Sequence, residues 1–437
     1  CVKWGFHPLT IENMKKCEGG CIVSQLALFG GEKTKKTPFG TGKRFGQEEL
    51  QQLKEALDQN TLFYWSGTKV KELNRKFAEM YGKDYCVAVS SGTAAIHVAL
   101  GTVGVTAGDE VITSPITDMG SIIGILYQNA IPVFADLDPH TYNLDPKSVE
   151  EKITDRTKAI EVVHLAGNPA DMDAIMEIAK KHNIKVIEDC AQSYMCNYKG
   201  RLAGTIGDVG CFSLNDFKHI SAGDGGMCLL PDEESYVRAF RFADKNYNRF
   251  SKDPDETRKI DFLAPNYRMS ELQGAVGVAQ LDKLESICER RNIYGDRLSE
   301  GIKDLPGIYI PKIEQGNKSS YWFYMFRIDE EEAGVSRDEF SKALSAEGVP
   351  NQAGYIPACV YEYDMFKNKN AYNGTDCPWG CKHYGKEIEY YTGMCPTAEE
   401  ILKTAIRLTV NEFYTMEDCD EVIQSIRKVA EYYKTER

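Results

Sequence analysis

The chain reads as an α/β protein, with a large domain on a mainly parallel β-sheet and a smaller C-terminal α+β domain. Three observations predict this. From Tyr85 onward, short β-rich runs at 86–89, 110–113, 132–135, 160–164 and 185–188 alternate with helical spacing, as at 93–100 and 172–181. Such alternation is the mark of βαβ units in a sheet covered on both faces. A long helical pattern then spans residues 268–291, with apolar Leu272, Val276, Ala279, Leu281 and Leu284, and the composition changes after it. Residues 299–437 carry a strand pattern at 321–327 and helical patterns near 337–347 and 416–433. The expected divisions are an N-terminal arm (1–45), a large domain (46–298) and a small C-terminal domain (299–437).

Taken in order, the arm has weak periodicity and many Gly, Lys and Thr. Helical spacing begins at 48–57 and repeats at 70–81. The aromatic loop between them, Phe63-Tyr-Trp-Ser-Gly67, is either buried filler or the rim of a ligand site. In an α/β sheet of this kind, ligands sit in the crevice at the carboxyl ends of the strands. Functional side chains are therefore expected just after the β-rich runs.

Composition narrows the function. With 437 residues, 42% of them hydrophobic and 27% charged, the chain is long enough for two domains and a large core. A net charge of −13 argues against nucleic acid as a partner, because nothing offsets phosphate repulsion. No apolar run approaches the roughly 18 residues of a membrane span, and residues 1–20 lack the apolar core of a signal peptide. Of the 14 cysteines, Cys86, Cys190, Cys211 and Cys228 lie in apolar runs, where they act as small hydrophobes. Mostly free thiols in a reducing cytoplasm are expected. Cys17/Cys21 and Cys377/Cys381 share a C-x3-C spacing, with His383 beyond the second pair. The spacing is loose and the pairs lie far apart, so no metal is expected.

Four stretches carry chemistry. The stretch FSLNDFKHISAGDGG (212–226) sets Lys218 on a short turn between two apolar runs. It is preceded by Ser213 and closed by Gly225-Gly226, which permit a tight backbone course. Alone, Lys218 reads as a solvated loop residue. Ser90-Ser-Gly-Thr-Ala94 joins a strand to a helix and reads as an anion cradle or a plain N-cap. Asp189, after an apolar strand, is either a helix cap or a carboxylate that needs a cationic partner. The stretch from Asn266 to Gln273 (NYRMSELQ) opens the long helical pattern. Together they supply a phosphate cradle, a carboxylate for a pyridine nitrogen and an amine for an aldehyde. Pyridoxal phosphate requires those three groups.

With these motifs the chain resembles the DegT/DnrJ/StrS family of pyridoxal phosphate-dependent aminotransferases. The resemblance runs from about Pro38 to the C-terminus through VSSGTAAIHVAL, GDEVITSP, IPVFADLDPHTYNLDP, VVHLAGNPADMDAI, VIEDCAQS, the lysine turn and NYRMSELQGA. It implies a fold-type I enzyme, acting as a homodimer, that moves an amino group from an amino acid (glutamate or glutamine) to a keto-sugar or keto-cyclitol. Lys218 is then the Schiff-base lysine and proton carrier, and Asp189 the partner of the pyridine nitrogen. Gln192 bonds near the ring hydroxyl, and Gly92, Thr93 and Ser213 hold the phosphate. Asn266 completes the cradle of the partner subunit. His219 is a candidate substrate contact. Some family members are dehydratases with histidine in place of the lysine, but Ser213 and Gly225-Gly226 lie at the family's distances from Lys218. The segments YWFYMFRIDEEE and AGYIPACVYEYDMF are similar to members acting on scyllo-inosose-type cyclitols and to aminohydroxybenzoate synthases.

One departure stands out. Asp118 occupies the place where the family usually has an aromatic residue stacked on the cofactor ring; Met119 is the neighbour able to cover part of it. A stacked aromatic contributes on the order of 1 kcal/mol beyond area burial, which a carboxylate does not supply. Asp118 is therefore expected to meet substrate. A lyase or dehydratase using Asp118 as a proton relay, and a non-catalytic protein on the same fold, are the competing readings.

Overall fold

The computed structural model describes residues 14–16 and 22–435. Its main sheet has seven strands: β1 (Tyr85–Val89), β2 (Glu110–Thr113), β3 (Ile131–Phe134), β4 (Thr157–Val163), β5 (Lys185–Asp189), β6 (Val209–Ser213) and β7 (Gly226–Leu230). The strand order is β1-β7-β6-β5-β4-β2-β3. All run the same way except β7, which is antiparallel to both its neighbours. Every residue of β2, β3, β6 and β7 is buried, which explains apolar runs in place of strict alternation.

Helix α1 (Gln47–Asp58) packs on residues 271–281, whereas α2 (Lys69–Met80), α3 (Gly92–Thr102) and α4 (Met119–Tyr127) pack on this sheet. The stretch from Asn266 leads into α5 (Glu271–Leu281), which begins with a reciprocal cap between Ser270 and Gln273. Glu271 points elsewhere. Its wholly buried carboxylate accepts the N–H groups of Lys69 (2.8 Å) and Val70 (3.0 Å), capping α2 and tying the two helices together.

The long helical pattern differs from expectation in two ways. It breaks between Leu281 and Leu284, where Lys283 turns to Glu49 at 2.6 Å, and resumes as α6 (Leu284–Ile302). Helix α6 then crosses the expected boundary at 298/299, because fully buried Leu298 and Ile302 extend its apolar face. Beyond it lies an antiparallel sheet of β8 (Ile308–Tyr309), β9 (Phe323–Ile328), β10 (Asn351–Ala353) and β11 (Ala405–Thr409), in the order β8-β9-β11-β10. Helices Arg337–Ala346 and Met416–Thr435 cover it.

Two segments without periodicity are firmly packed. Residues 26–40 of the arm lie on the second sheet and its helices, and Arg44 beyond them reaches residues 216–218 and 280–283. Leu26 is fully buried, and buried Lys35 reaches Asp418 (2.7 Å) and Glu421 (2.6 Å). Residues 377–390 fold back over β3, the edge of the main sheet. Tyr390 donates to the Pro132 carbonyl at 2.7 Å, Tyr384 donates to Glu110 at 3.0 Å, and Trp379 packs against Phe366. This cover shields the β3 edge from pairing with another chain. Cys377 and Cys381 are joined as a disulfide, so neither thiolate is free for zinc. Cys17 and Cys21 lie outside the described residues. The other nine described cysteines are free and buried, as small hydrophobes should be. Among the described residues no helix is long and apolar enough to cross a membrane.

Lys35→Ala should lower the unfolding free energy by about 3–5 kcal/mol, because it leaves Asp418 buried without its cation. Denaturant unfolding followed by tryptophan fluorescence measures the loss; a change within about 0.5 kcal/mol, typical of surface sites, would show that the arm is not integral.

Candidate active site

A cavity of about 300 Å³ opens at the carboxyl ends of β1, β5 and β6. Four of its walls follow from the chain course. At the end of β1, Ser91 caps α3 by accepting from the Ala94 N–H at 3.0 Å, so Gly92 and Thr93 stand at the helix N-terminus. Unpaired amides and the helix dipole favour an anion there. Ser213, ending β6, faces this terminus so closely that a Cβ on Gly92 would lie 2.6 Å from the Ser213 Cβ. Gly226, opening β7, is as constrained, since its Cβ would meet the Ser91 carbonyl oxygen at 2.2 Å.

Asp189 ends β5 and is 5% exposed. Its carboxylate accepts the Ser121 hydroxyl (2.7 Å) and the Ala191 N–H (2.9 Å), and Ser121 is joined to Thr117 in turn. Burial pushes its pKa up, against those two hydrogen bonds and the charge of Lys218. Gln192, also buried, accepts from the Ala166 N–H at 2.9 Å and donates to the Tyr355 hydroxyl at 3.3 Å.

Lys218 enters from the loop between β6 and β7. Its ammonium lies 3.8 Å from the ring centroid of Trp322, which begins the strand region of the small domain. Burial lowers its pKa to about 8, opposed by the negative charges of Asp189 and Asp118. The turn beneath it is clamped from outside: the Asp216 and Lys218 carbonyls accept from Arg44, and the Phe217 carbonyl accepts from the Trp322 indole N–H at 2.7 Å. Arg44 is held by Glu412, which also binds buried Arg291 at 2.6 Å.

Of the sequence candidates, Gly92, Thr93, Asp118, Asp189, Gln192, Ser213 and Lys218 line this one cavity. Asp118 is exposed and caps α4 through the Gly120 N–H at 2.8 Å. Met119 is absent from the lining and packs toward the core under α4. Asn266 is exposed and lies outside the cavity of its own chain. His219 departs from the expectation that it meets substrate. It is wholly buried, bonds the Ser320 carbonyl at 3.1 Å and does not reach the cavity, because its side chain turns under the loop while that of Lys218 turns out. Sequence reasoning missed Ser121, Trp322, Tyr355 and Arg44. Ser121 lay in plain view three residues after Asp118, whereas the others come from distant segments with no local signal.

One metal-like cluster exists among the described residues, His164, Glu188 and Cys190. Glu188 already accepts from His164 (3.0 Å) and from the N–H groups of Gly204, Ile206 and Gly207 (2.7–2.8 Å), so its oxygens are fully engaged in holding the loop before β6.

Residues 43–388 match the model of the DegT/DnrJ/EryC1/StrS aminotransferase family. The chain belongs to that family. It is 32% identical over 392 residues to the spore coat polysaccharide biosynthesis protein SpsC of Bacillus subtilis, covering 88% of this chain and 95% of that protein. It is 37% identical over 337 residues to a provisionally named L-glutamine:3-amino-2,3-dideoxy-scyllo-inosose aminotransferase of Streptoalloteichus tenebrarius, covering 75% and 79%. The structure of an aminotransferase from Psychrobacter cryohalolentis superposes with a TM-score of 0.80 at 28% identity, over 91% of this chain and all of that one. The protein is a pyridoxal phosphate-dependent aminotransferase of fold type I, and its cavity fits the cofactor. The helix N-terminus with Thr93 and Ser213 suits a phosphate, and buried Asp189 suits a protonated ring nitrogen. Lys218, neutral in good part near pH 8, suits an aldehyde.

The pKa of Lys218 sets a pH dependence. The neutral amine is the nucleophile, and its fraction grows as pH rises through about 8. Cofactor-free enzyme should therefore take up pyridoxal phosphate several-fold faster at about pH 9 than at about pH 7. Stopped-flow absorbance of the lysine-bound cofactor measures this. A midpoint near the ordinary lysine value would mean that the amine is not desolvated.

Proposed function

We propose that this aminotransferase passes nitrogen from an amino acid, glutamine or glutamate, to the carbonyl of a keto-cyclitol or keto-sugar. The observation that carries this reading is the cavity wall beside Lys218. Asp118 supplies a carboxylate where an aromatic face is usual, and Gln192, Asn215 and Asp224 add further polar groups. Such a wall suits a ring rich in hydroxyl or amino groups better than an apolar acceptor. The relative named for an amino-inosose acceptor supports the same class.

Pyridoxal phosphate, when bound, supplies an electron sink for the bond broken at the donor carbon. The protein does the rest. Asp189, fixed by Ser121 and Ala191, holds the proton on the ring nitrogen. The Lys218 amine takes a proton from the donor carbon and returns one to the acceptor carbon, work suited to a group titrating near 8. Trp322 shields that amine on one side. With Lys218 at the cavity and His219 buried, the arrangement favours transamination over a histidine-based dehydration.

The working unit is proposed to be a homodimer. Asn266 is solvent-exposed beside Leu263, which is 94% exposed; both suit a face covered by a second copy, where Asn266 would meet the other subunit's phosphate. A cytoplasmic setting is proposed from the nine free, buried cysteines.

Three measurements test this reading. Lys218→Ala should still bind pyridoxal phosphate but lose the visible band of the lysine-bound form; a retained band would refute the lysine assignment. Asp118→Ala should leave the amino-donor half-reaction within about twofold and slow the acceptor half about tenfold or more, as loss of a charged hydrogen bond implies. Equal loss in both halves would remove Asp118 from acceptor recognition. Sedimentation should show a dimer, and Asn266→Ala should weaken cofactor binding; full activity as a dilute monomer would overturn the shared site.

A further inference from the structure

Glu161 has no role in the site described so far, and its surroundings are unusual for a carboxyl group. It lies on β4, an interior strand of the main sheet, and is wholly buried. Among the described residues neither of its carboxyl oxygens has a hydrogen-bond partner. Glu188, Glu271 and Glu347 are just as buried, yet each engages both oxygens. An ionised carboxylate left bare in the interior is too costly to persist. Glu161 is therefore carried as the neutral acid, and burial beside the charge of Asp189 pushes its pKa in the same direction.

Strand register gives the neighbours of this acid. Val163 of β4 stands opposite Asp189 of β5, so Glu161 lies two residues earlier on the same face, on the order of 8 Å away between backbone positions. On the other side Ile160 stands opposite Ile112 of β2, and the next pair along is Glu161 with Thr113. The Thr113 hydroxyl is also wholly buried and also without a partner. Cys211, in register with Asp189 on β6, is a further titratable group on this face, and burial keeps its thiol protonated. Asp189 accepts from Ser121 and Ala191 through different oxygens, which leaves each oxygen a further lone pair. Thr113, Glu161 and Asp189 together supply about as many polar partners as a buried water takes.

We propose that Glu161 is a positioning residue for the cofactor's ring proton: as a neutral acid it donates to Asp189 through one bound water shared with Thr113. The inference rests on Asp189 as the partner of the ring nitrogen, and it holds for any amino donor and acceptor. Burial favours the protonated form of Asp189, which would draw the proton from the ring to the carboxylate and weaken the electron sink. A donor on the far side of Asp189 opposes that drift, because it stabilises the ionised carboxylate. An ionised Glu161 would do the reverse.

The experiment uses enzyme loaded with pyridoxal phosphate isotope-labelled at the ring nitrogen, and the variants Glu161→Gln, Glu161→Leu and Thr113→Val. Nitrogen NMR should show a protonated ring in the unaltered enzyme and in Glu161→Gln, whose amide also donates. In Glu161→Leu the ratio of ring-bound to Asp189-bound proton should fall about tenfold, the effect of one lost hydrogen bond to a charged group. Thr113→Val should reproduce part of that shift. The limiting rate of the amino-donor half-reaction should fall in step, with the half-saturating donor concentration within about twofold. A ring proton unmoved by Glu161→Leu would overturn the proposal. Equal loss in Glu161→Gln and Glu161→Leu would mean that Glu161 acts through its charge, which overturns it as well. An unprotonated ring in the unaltered enzyme would instead remove the Asp189 assignment, and this proposal with it. Infrared difference spectra of the unaltered enzyme against Glu161→Gln need no apolar variant. The carbonyl band of a protonated carboxyl should be present and vanish on substitution; its absence from the unaltered enzyme would overturn the proposal.

Discussion

The structure depends on how the turn beneath Lys218 is fixed. A lysine side chain carries about 2 kcal/mol of rotamer entropy, so the amine can be placed only if its backbone root does not move. Three successive carbonyls, of Asp216, Phe217 and Lys218, are each taken by a side chain from elsewhere, Arg44 serving two and Trp322 one. Glu412 fixes Arg44 and is fixed by Arg291 on α6. Residue 44 of the N-terminal stretch, the main sheet and the antiparallel sheet thus meet at one loop. That meeting explains why the arm packs firmly despite its weak periodicity.

The same loop sets the electrostatics. Burial lowers the pKa of Lys218 and raises that of Asp189, so each group stands closer to its neutral form than it would in water. Neither shift runs to completion, because the two charges favour one another and Ser121 and Ala191 support the carboxylate. A cationic ring nitrogen beside Asp189 would complete the pairing that burial leaves unfinished. The hydroxyls of Thr117 and Ser121, linked in series, hold the Asp189 carboxylate in place for such a partner.

Much of this was legible in the sequence because it is local. Gly92, Asp189 and Ser213 each sit at the end of a strand or the start of a helix, and Lys218 on the loop between two strands, where apolar runs and turn residues announce themselves within about ten positions. The sheet followed from the same alternation. What could not be read is contact between distant segments. Trp322 and Arg44 differ from Lys218 in position by more than a hundred residues, and neither run carries a pattern pointing at the loop. The turn of His219 into the core is likewise a matter of side-chain direction in an irregular loop. The break at Lys283 was hidden because apolar spacing continues on both sides; a tertiary ion pair with Glu49 marks it instead. Cys377 and Cys381 offered only a loose C-x3-C spacing, and the aromatic contact of Tyr390 with the sheet edge appears only once the chain is folded.

The anchoring of the lysine turn also bears on when the enzyme becomes competent. Arg44 leaves the ribosome well before Trp322, and Trp322 well before Glu412. Strands β1 to β7 can assemble beforehand, phosphate cradle and carboxylate included, while the carbonyls under Lys218 wait for their donors. Cofactor capture by a properly held amine thus reports that the segments carrying Arg44, Trp322 and Glu412 have been translated and docked. A prematurely terminated chain would own every catalytic side chain yet lack the means to aim one of them.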